Sequence, residues 1–143
     1  MYAIHRTARG ALERQPAIAL RFWEQASCPT APEECWSWRG PISRHGIPEL
    51  RAPRVTIDAA RLACWAVLGE FPMGGRIIRR CENPSCVRPT HLEWRASRRT
   101  RVRLQSDHEG YVRPMAPPTI AGELEALRRA RALGCDVRGV AAA

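Results

Sequence analysis

The run Cys81-Glu82-Asn83-Pro84-Ser85-Cys86-Val87-Arg88-Pro89-Thr90-His91 places four residues between its two thiols and four more before its imidazole. Asn83-Pro84 predicts a turn that lets both sulfurs face one ion. Two soft thiolates and an imidazole at such spacing suit a structural zinc site, which closes as a tetrahedron of four ligands. The fourth ligand must come from elsewhere in the chain. Cys35 is the candidate, because it opens the segment Cys35-Trp36-Ser37-Trp38-Arg39-Gly40, an aromatic strand able to lie beside the knuckle. Cys28, Cys64 and Cys135 are its rivals, although Cys64 falls on the apolar face of a predicted helix and reads more readily as a core thiol. A Cys81–Cys86 disulfide is the competing use of the pair. No export signal precedes it, which favours a reducing, cytoplasmic setting and the metal.

Outward from the knuckle, hydrophobic periodicity and turn residues divide the chain. Residues 1–16 read as a loose, Arg-bearing tail. Residues 17–25 predict a short helix with Ile18, Leu20, Phe22 and Trp23 available for packing, and the two prolines of 26–34 predict a loop. Gly40-Pro41 ends the aromatic strand, His45-Gly46 is a turn, and 47–57 reads as a second strand weakened by Pro48 and Pro53. Asp58 is the N-cap of a helix running to Leu68, with Gly69 as its stop. Residues 76–80 and 92–94 flank the knuckle as short extended segments. Residues 96–104 predict a basic helix, and 106–119 a proline-bearing linker. Residues 120–133 predict a C-terminal helix with Leu124, Leu127 and Ala130 on one face and Gly134 at its C′ position. The expected class is α+β: a small zinc-stabilised domain over 17–105 with short strands and flanking helices, then a helical segment over 120–143.

The chain has 143 residues, of which 45% are hydrophobic, which argues against a fully disordered polymer. It carries 23 basic and 14 acidic side chains, a net charge of +9. Every basic residue is Arg. A GC-rich genome explains Arg in place of Lys, but not the excess of positive charge. Guanidinium pairs bidentately with phosphate and stays ionised, so nucleic acid is the expected partner. No apolar run approaches the roughly 20 residues of a membrane span, and no membrane association is expected.

The segments Arg21-Phe22-Trp23, Cys35-Trp36-Ser37-Trp38-Arg39-Gly40, Ala60-Arg61-Leu62-Ala63-Cys64-Trp65 and Cys81 to Leu92 together resemble the phage-type HNH endonucleases of the His-Me finger, or ββα-metal, group. The resemblance covers residues 21–103. It implies a ββα-metal fold with Cys35, Cys81, Cys86 and His91 holding a structural Zn2+. It also implies a general-base His two residues before the first knuckle Cys and an Asn nine residues beyond the knuckle His. That pair serves a divalent ion, usually Mg2+, in phosphodiester hydrolysis. Arg79 and Thr100 stand at those positions. A guanidinium cannot act as a base near neutral pH and would repel a catalytic cation.

The resemblance places the DNA-contacting edge along the helix after the knuckle, which carries Arg95, Arg98, Arg99, Arg101 and Arg103, with Arg76, Arg79, Arg80 and Arg88 extending the patch. The expectation is a double-stranded DNA-binding protein that no longer cuts, regulatory or accessory to DNA processing. An active nuclease or nickase would need Mg2+ and a displaced base, His45 or His108. A protein-interaction module, or self-association through the C-terminal helix, is the remaining alternative.

Overall fold

The computed structural model describes residues 17–53, 55–72, 75–95 and 117–134. Among the described residues, three α-helices and three two-stranded antiparallel sheets surround one main core. The aromatic residues near the N-terminus start it. Helix α1 (Ala17–Gln25) buries Ile18, Phe22 and Trp23 on one face. Phe22 stacks on Trp38 at 5.7 Å between ring centres, and Trp23 meets Trp36 edge-on at 5.8 Å. Strand β1 (Ala26–Ser27) pairs with β2 (Ser37–Trp38), with Ala26 opposite Trp38. The expected loop over 26–34 therefore begins as strand: Ala26 and Trp38 are both buried, and the pairing satisfies backbone groups that burial removes from water.

The second expected strand is in fact a hairpin. β3 (Glu49–Ala52) turns at Pro53 and returns as β4 (Val55–Asp58). Proline lacks the N–H that a continuous strand needs, so it breaks the run. Leu50 and Ile57 face each other across this hairpin and are fully buried. Asp58 then caps α2 (Ala59–Leu68), its Oδ1 accepting from the Ala60 N–H at 2.9 Å. Gly69 ends the helix with φ of 75°, a left-handed conformation that glycine adopts without strain. Both boundaries agree with the sequence reading.

Helix α2 presents Ala59, Ala60 and Ala63 with Leu62 and Val67, so neighbouring elements approach closely. Arg61 is buried in it, and its guanidinium donates to the carbonyls of Pro72 and Gly75, each at 2.8 Å. That pins the start of β5 (Arg76–Arg79), which pairs with β6 (Leu92–Arg95) in the register Ile77–Trp94 and Arg79–Leu92. At Gly75, with φ of 61°, any side chain would collide with the Arg95 carbonyl.

Helix α3 (Ile120–Ala132) begins at Thr119, whose Oγ1 accepts from the Gly122 N–H at 3.0 Å. Gly134 follows it with φ of 86°. The helix lies against α2, and Ala126, Leu127 and Ala130 enter the same core as α1. Leu124 packs at the edge of that core. The expected basic helix over 96–104 and most of the expected linker lie outside the described residues. Among the described residues no helix is long and apolar enough to cross a membrane.

This docking has a measurable consequence. Leu127→Ala is expected to lower the unfolding free energy by about 2–5 kcal/mol. Arg128→Ala, at a side chain 73% exposed, is expected to change it by less than about 0.5 kcal/mol. Urea unfolding followed by tryptophan fluorescence separates the two, and equal effects would contradict a docked C-terminal helix.

Candidate metal centre

The β5–β6 hairpin brings Cys81 and His91 together, because the two residues sit at the feet of the loop that joins its strands. The ladder continues one step past the strands, with the Arg80 N–H donating to the His91 carbonyl at 2.9 Å. Within the loop, the Asn83 side chain accepts from the Ser85 N–H at 3.0 Å, and the Asn83 carbonyl accepts from the Cys86 N–H at 3.1 Å. This is the turn expected of Asn83-Pro84, and it swings Cys86 back over Cys81. The segment 85–87 then zips onto 36–38. Trp38 N–H donates to the Ser85 carbonyl at 2.9 Å, and Val87 N–H to the Trp36 carbonyl at 2.8 Å. That pairing delivers Cys35, the residue before Trp36, to the knuckle.

Cys35, Cys81, Cys86 and His91 form a group whose four ligand atoms all lie within 4.8 Å of one another. The Nδ1 of His91 is 3.6 Å from the sulfur of Cys35 and 3.7 Å from that of Cys86. A tetrahedral ion with metal–sulfur bonds of about 2.3 Å and a metal–nitrogen bond of about 2.0 Å has S···N edges of about 3.5 Å. The four residues therefore fit a single metal ion with little movement. The other ring nitrogen, Nε2, donates to the Pro32 carbonyl at 2.7 Å. This bond assigns the tautomer and leaves the Nδ1 lone pair directed at the cluster, the usual outer-shell support of a ligating histidine.

The thiols are tuned unequally. Burial raises Cys86 to about 12. At Cys81 burial also acts upward, but hydrogen bonds from the Asn83 backbone and from the Cys35 and Cys86 thiols outweigh it, and the thiol lies below its ordinary range. A metal binding there would displace a proton from Cys86. Cys28 and Cys64, the rival ligands, stand apart from the cluster. Both are buried in the core, and burial raises Cys28 well above its ordinary range and Cys64 to about 12. They are protonated packing residues. Cys135 lies outside the described residues.

The arginines divide by face. Arg76, Arg80 and Arg95 are exposed on the β5–β6 hairpin, and Glu93 between them pairs with Arg80 at 3.5 Å and Arg95 at 3.3 Å. Hydrogen bonding from Arg95 holds the Glu93 carboxyl below its usual range. Arg79 is half-buried, and its Nε donates to the Cys86 carbonyl at 2.9 Å, so the residue at the position of the expected base braces the knuckle.

Arg88 does not extend the exposed patch. It is fully buried, paired with Glu123 at 3.0 Å, and its guanidinium donates to carbonyls of residues 29–34. It also lies over the Trp36 ring at 5.5 Å. An unpaired charge could not be held there, whereas this one has a carboxylate and several carbonyls. Arg98, Arg99, Arg101, Arg103, Thr100 and His108 lie outside the described residues. His45 is exposed on the 43–47 turn, outside the ligand cluster.

Sequence reasoning missed Arg61, Thr90 and Glu123. Only Glu123 leaves a local trace, since it precedes Ala126, Leu127 and Ala130 at helical spacing on the apolar stripe.

Comparison with curated proteins finds Protein 2.8 of Escherichia phage T7, 28% identical over 58 residues. The match covers 41% of this chain and 40% of that protein, so the chain spans well under half of the relative it matches. No family model matches the chain, and no solved structure matches it.

The site predicts its own ligand requirement. Protein carrying Cys35→Ser, Cys86→Ser or His91→Ala is expected to lose its bound metal, while Cys28→Ala and Cys64→Ala retain it, as read by metal analysis after gel filtration. Metal binding near pH 7 is expected to release protons, and the apparent affinity to fall on acidification. Calorimetry in buffers of different ionisation enthalpy reads that release, and binding without it would contradict a protonated Cys86 thiol in the empty site.

Proposed function

We propose that this chain is a double-stranded DNA-binding protein built on a zinc-stabilised HNH-type fold that has lost strand cleavage. Three thiols and one imidazole with ligand atoms within 4.8 Å of one another favour zinc over magnesium, calcium or manganese, which prefer oxygen donors. Four protein ligands leave no open position for a substrate or water, which supports a structural ion. When bound, the zinc would tie the 35–38 segment to the β5–β6 hairpin and stabilise a fold of short strands.

The observation that carries the loss of cleavage is Arg79. It occupies the position of the HNH base, and its Nε is committed to the Cys86 carbonyl. No lone pair is available there to activate water, and its positive charge opposes a second metal. DNA binding draws support from the net charge of +9 and from Arg76, Arg80 and Arg95 on the open face of the same hairpin. Arg98, Arg99, Arg101 and Arg103 add to that charge in the sequence and lie outside the described residues. Phosphate contacts of this kind give affinity and register rather than sequence choice. The apolar face of α3 is spent on the core, which favours DNA over self-association through that helix. The match to a phage protein fits a role in the cytoplasm of an infected or lysogenic bacterium.

A supercoiled-plasmid assay in Mg2+ or Mn2+ tests the reading. The natural protein is expected to retard plasmid without nicking it, with affinity that falls steeply with salt. The double variant Arg79→His, Thr100→Asn is expected to gain nicking. Metal-dependent nicking by the natural protein would overturn the loss of cleavage. Absence of any salt-sensitive retardation would overturn DNA binding.

A further inference from the structure

A buried ion pair connects the candidate metal centre to the C-terminal helix, although the two lie far apart in sequence. Arg88 and Glu123 have side chains 0% exposed and meet at 3.0 Å. Glu123 also accepts from Thr90, through the backbone N–H at 3.0 Å and the hydroxyl at 2.9 Å. Thr90 precedes the ligand His91. Arg88 follows the ligand Cys86 by two residues and donates to the Glu34 carbonyl at 2.9 Å, next to the ligand Cys35. It donates further into the 29–31 backbone, in the loop whose Pro32 carbonyl holds His91 Nε2. Three of the four candidate ligands thus have an adjoining backbone fixed by this single pair.

We propose that Glu123 is a positioning residue of the metal centre, so that metal occupancy and docking of the 120–132 helix form one linked equilibrium. The inference rests on the metal reading above and adds a partner element to it. Glu123 touches no metal ligand side chain. It acts through Arg88 and Thr90, which set the backbone from which His91 and Cys35 project. Linkage is reciprocal: if helix docking strengthens metal binding by some factor, the metal strengthens docking by the same factor. The signal would pass through a fully desolvated charge pair, where loss of either partner strands the other.

Zinc affinity of the full-length protein, measured by competition with a chromophoric chelator, tests this. Glu123→Gln removes the charge with little change of shape. Thr90→Val removes one hydroxyl bond and leaves the buried pair intact, so it reports even if Glu123→Gln does not fold. Leu50→Ala, in the β3–β4 hairpin, is the control for lost stability without lost positioning. Glu123→Gln is expected to weaken zinc by about 10- to 100-fold, Thr90→Val by a smaller factor, and Leu50→Ala by less than about twofold. Hydrogen exchange supplies a second readout: zinc removal from the natural protein is expected to deprotect the amides of 120–132.

Both network variants binding zinc at natural strength would overturn the inference alone. So would equal weakening by Leu50→Ala, or a helix that stays protected after zinc removal. A natural protein that binds no zinc would instead overturn the metal reading on which this rests.

Discussion

Four ligand atoms from two distant segments converge within 4.8 Å, and that convergence constrains the middle of the chain. Among the described residues the sheets have two strands each, and the longest strands have four residues. Isolated ladders of that size are marginal in water. An ion holding Cys35 to Cys81, Cys86 and His91 would close the long loop between residue 35 and the β5–β6 hairpin. That closure limits the unfolded chain as a cross-link does. The Trp36–Val87 and Trp38–Ser85 hydrogen bonds follow the same path, so metal ligation would reinforce the register that backbone pairing sets.

Around that centre, arginine serves two distinct purposes. Arg61 and Arg88 are buried and organise backbone carbonyls, Arg61 for the turn before β5 and Arg88 for the 29–34 loop. Burial lowers the Arg61 guanidinium from its ordinary range while nearby Asp58 counters the fall. Arg76, Arg80 and Arg95 remain outside, partly balanced by Glu93. Arg79 stands between the two groups, on the inward face of the hairpin with one nitrogen committed to the knuckle. A basic composition therefore overstates the charge available to a polyanion, because some of it stabilises the fold.

The local features of the chain were readable in advance. Cys81, Cys86 and His91 declare themselves by spacing, Asp58 and Gly69 bound α2 through capping chemistry, and the aromatic run after Cys35 pointed to its place beside the knuckle. In the sequence Pro53 signals only a weakened strand, whereas it marks a hairpin turn, because a single proline does not say whether the chain reverses. The sequence places Arg88 on the surface because arginine is rarely fully buried without a partner. Its partner lies 35 residues onward, and its carbonyl acceptors lie more than 50 residues back. No local pattern encodes such a meeting.

As proposed, a single zinc ion would be held by three sulfurs and one nitrogen, with Cys35 as the ligand from outside the knuckle. X-ray absorption at the zinc edge, on purified full-length protein and on Cys35→Ser, tests it most directly. The expected result is one zinc per chain with three sulfurs at about 2.3 Å and one nitrogen at about 2.0 Å, and one sulfur fewer, or no zinc, in the variant. Zinc absent from the natural protein, or an unchanged three-sulfur shell in Cys35→Ser, would contradict it.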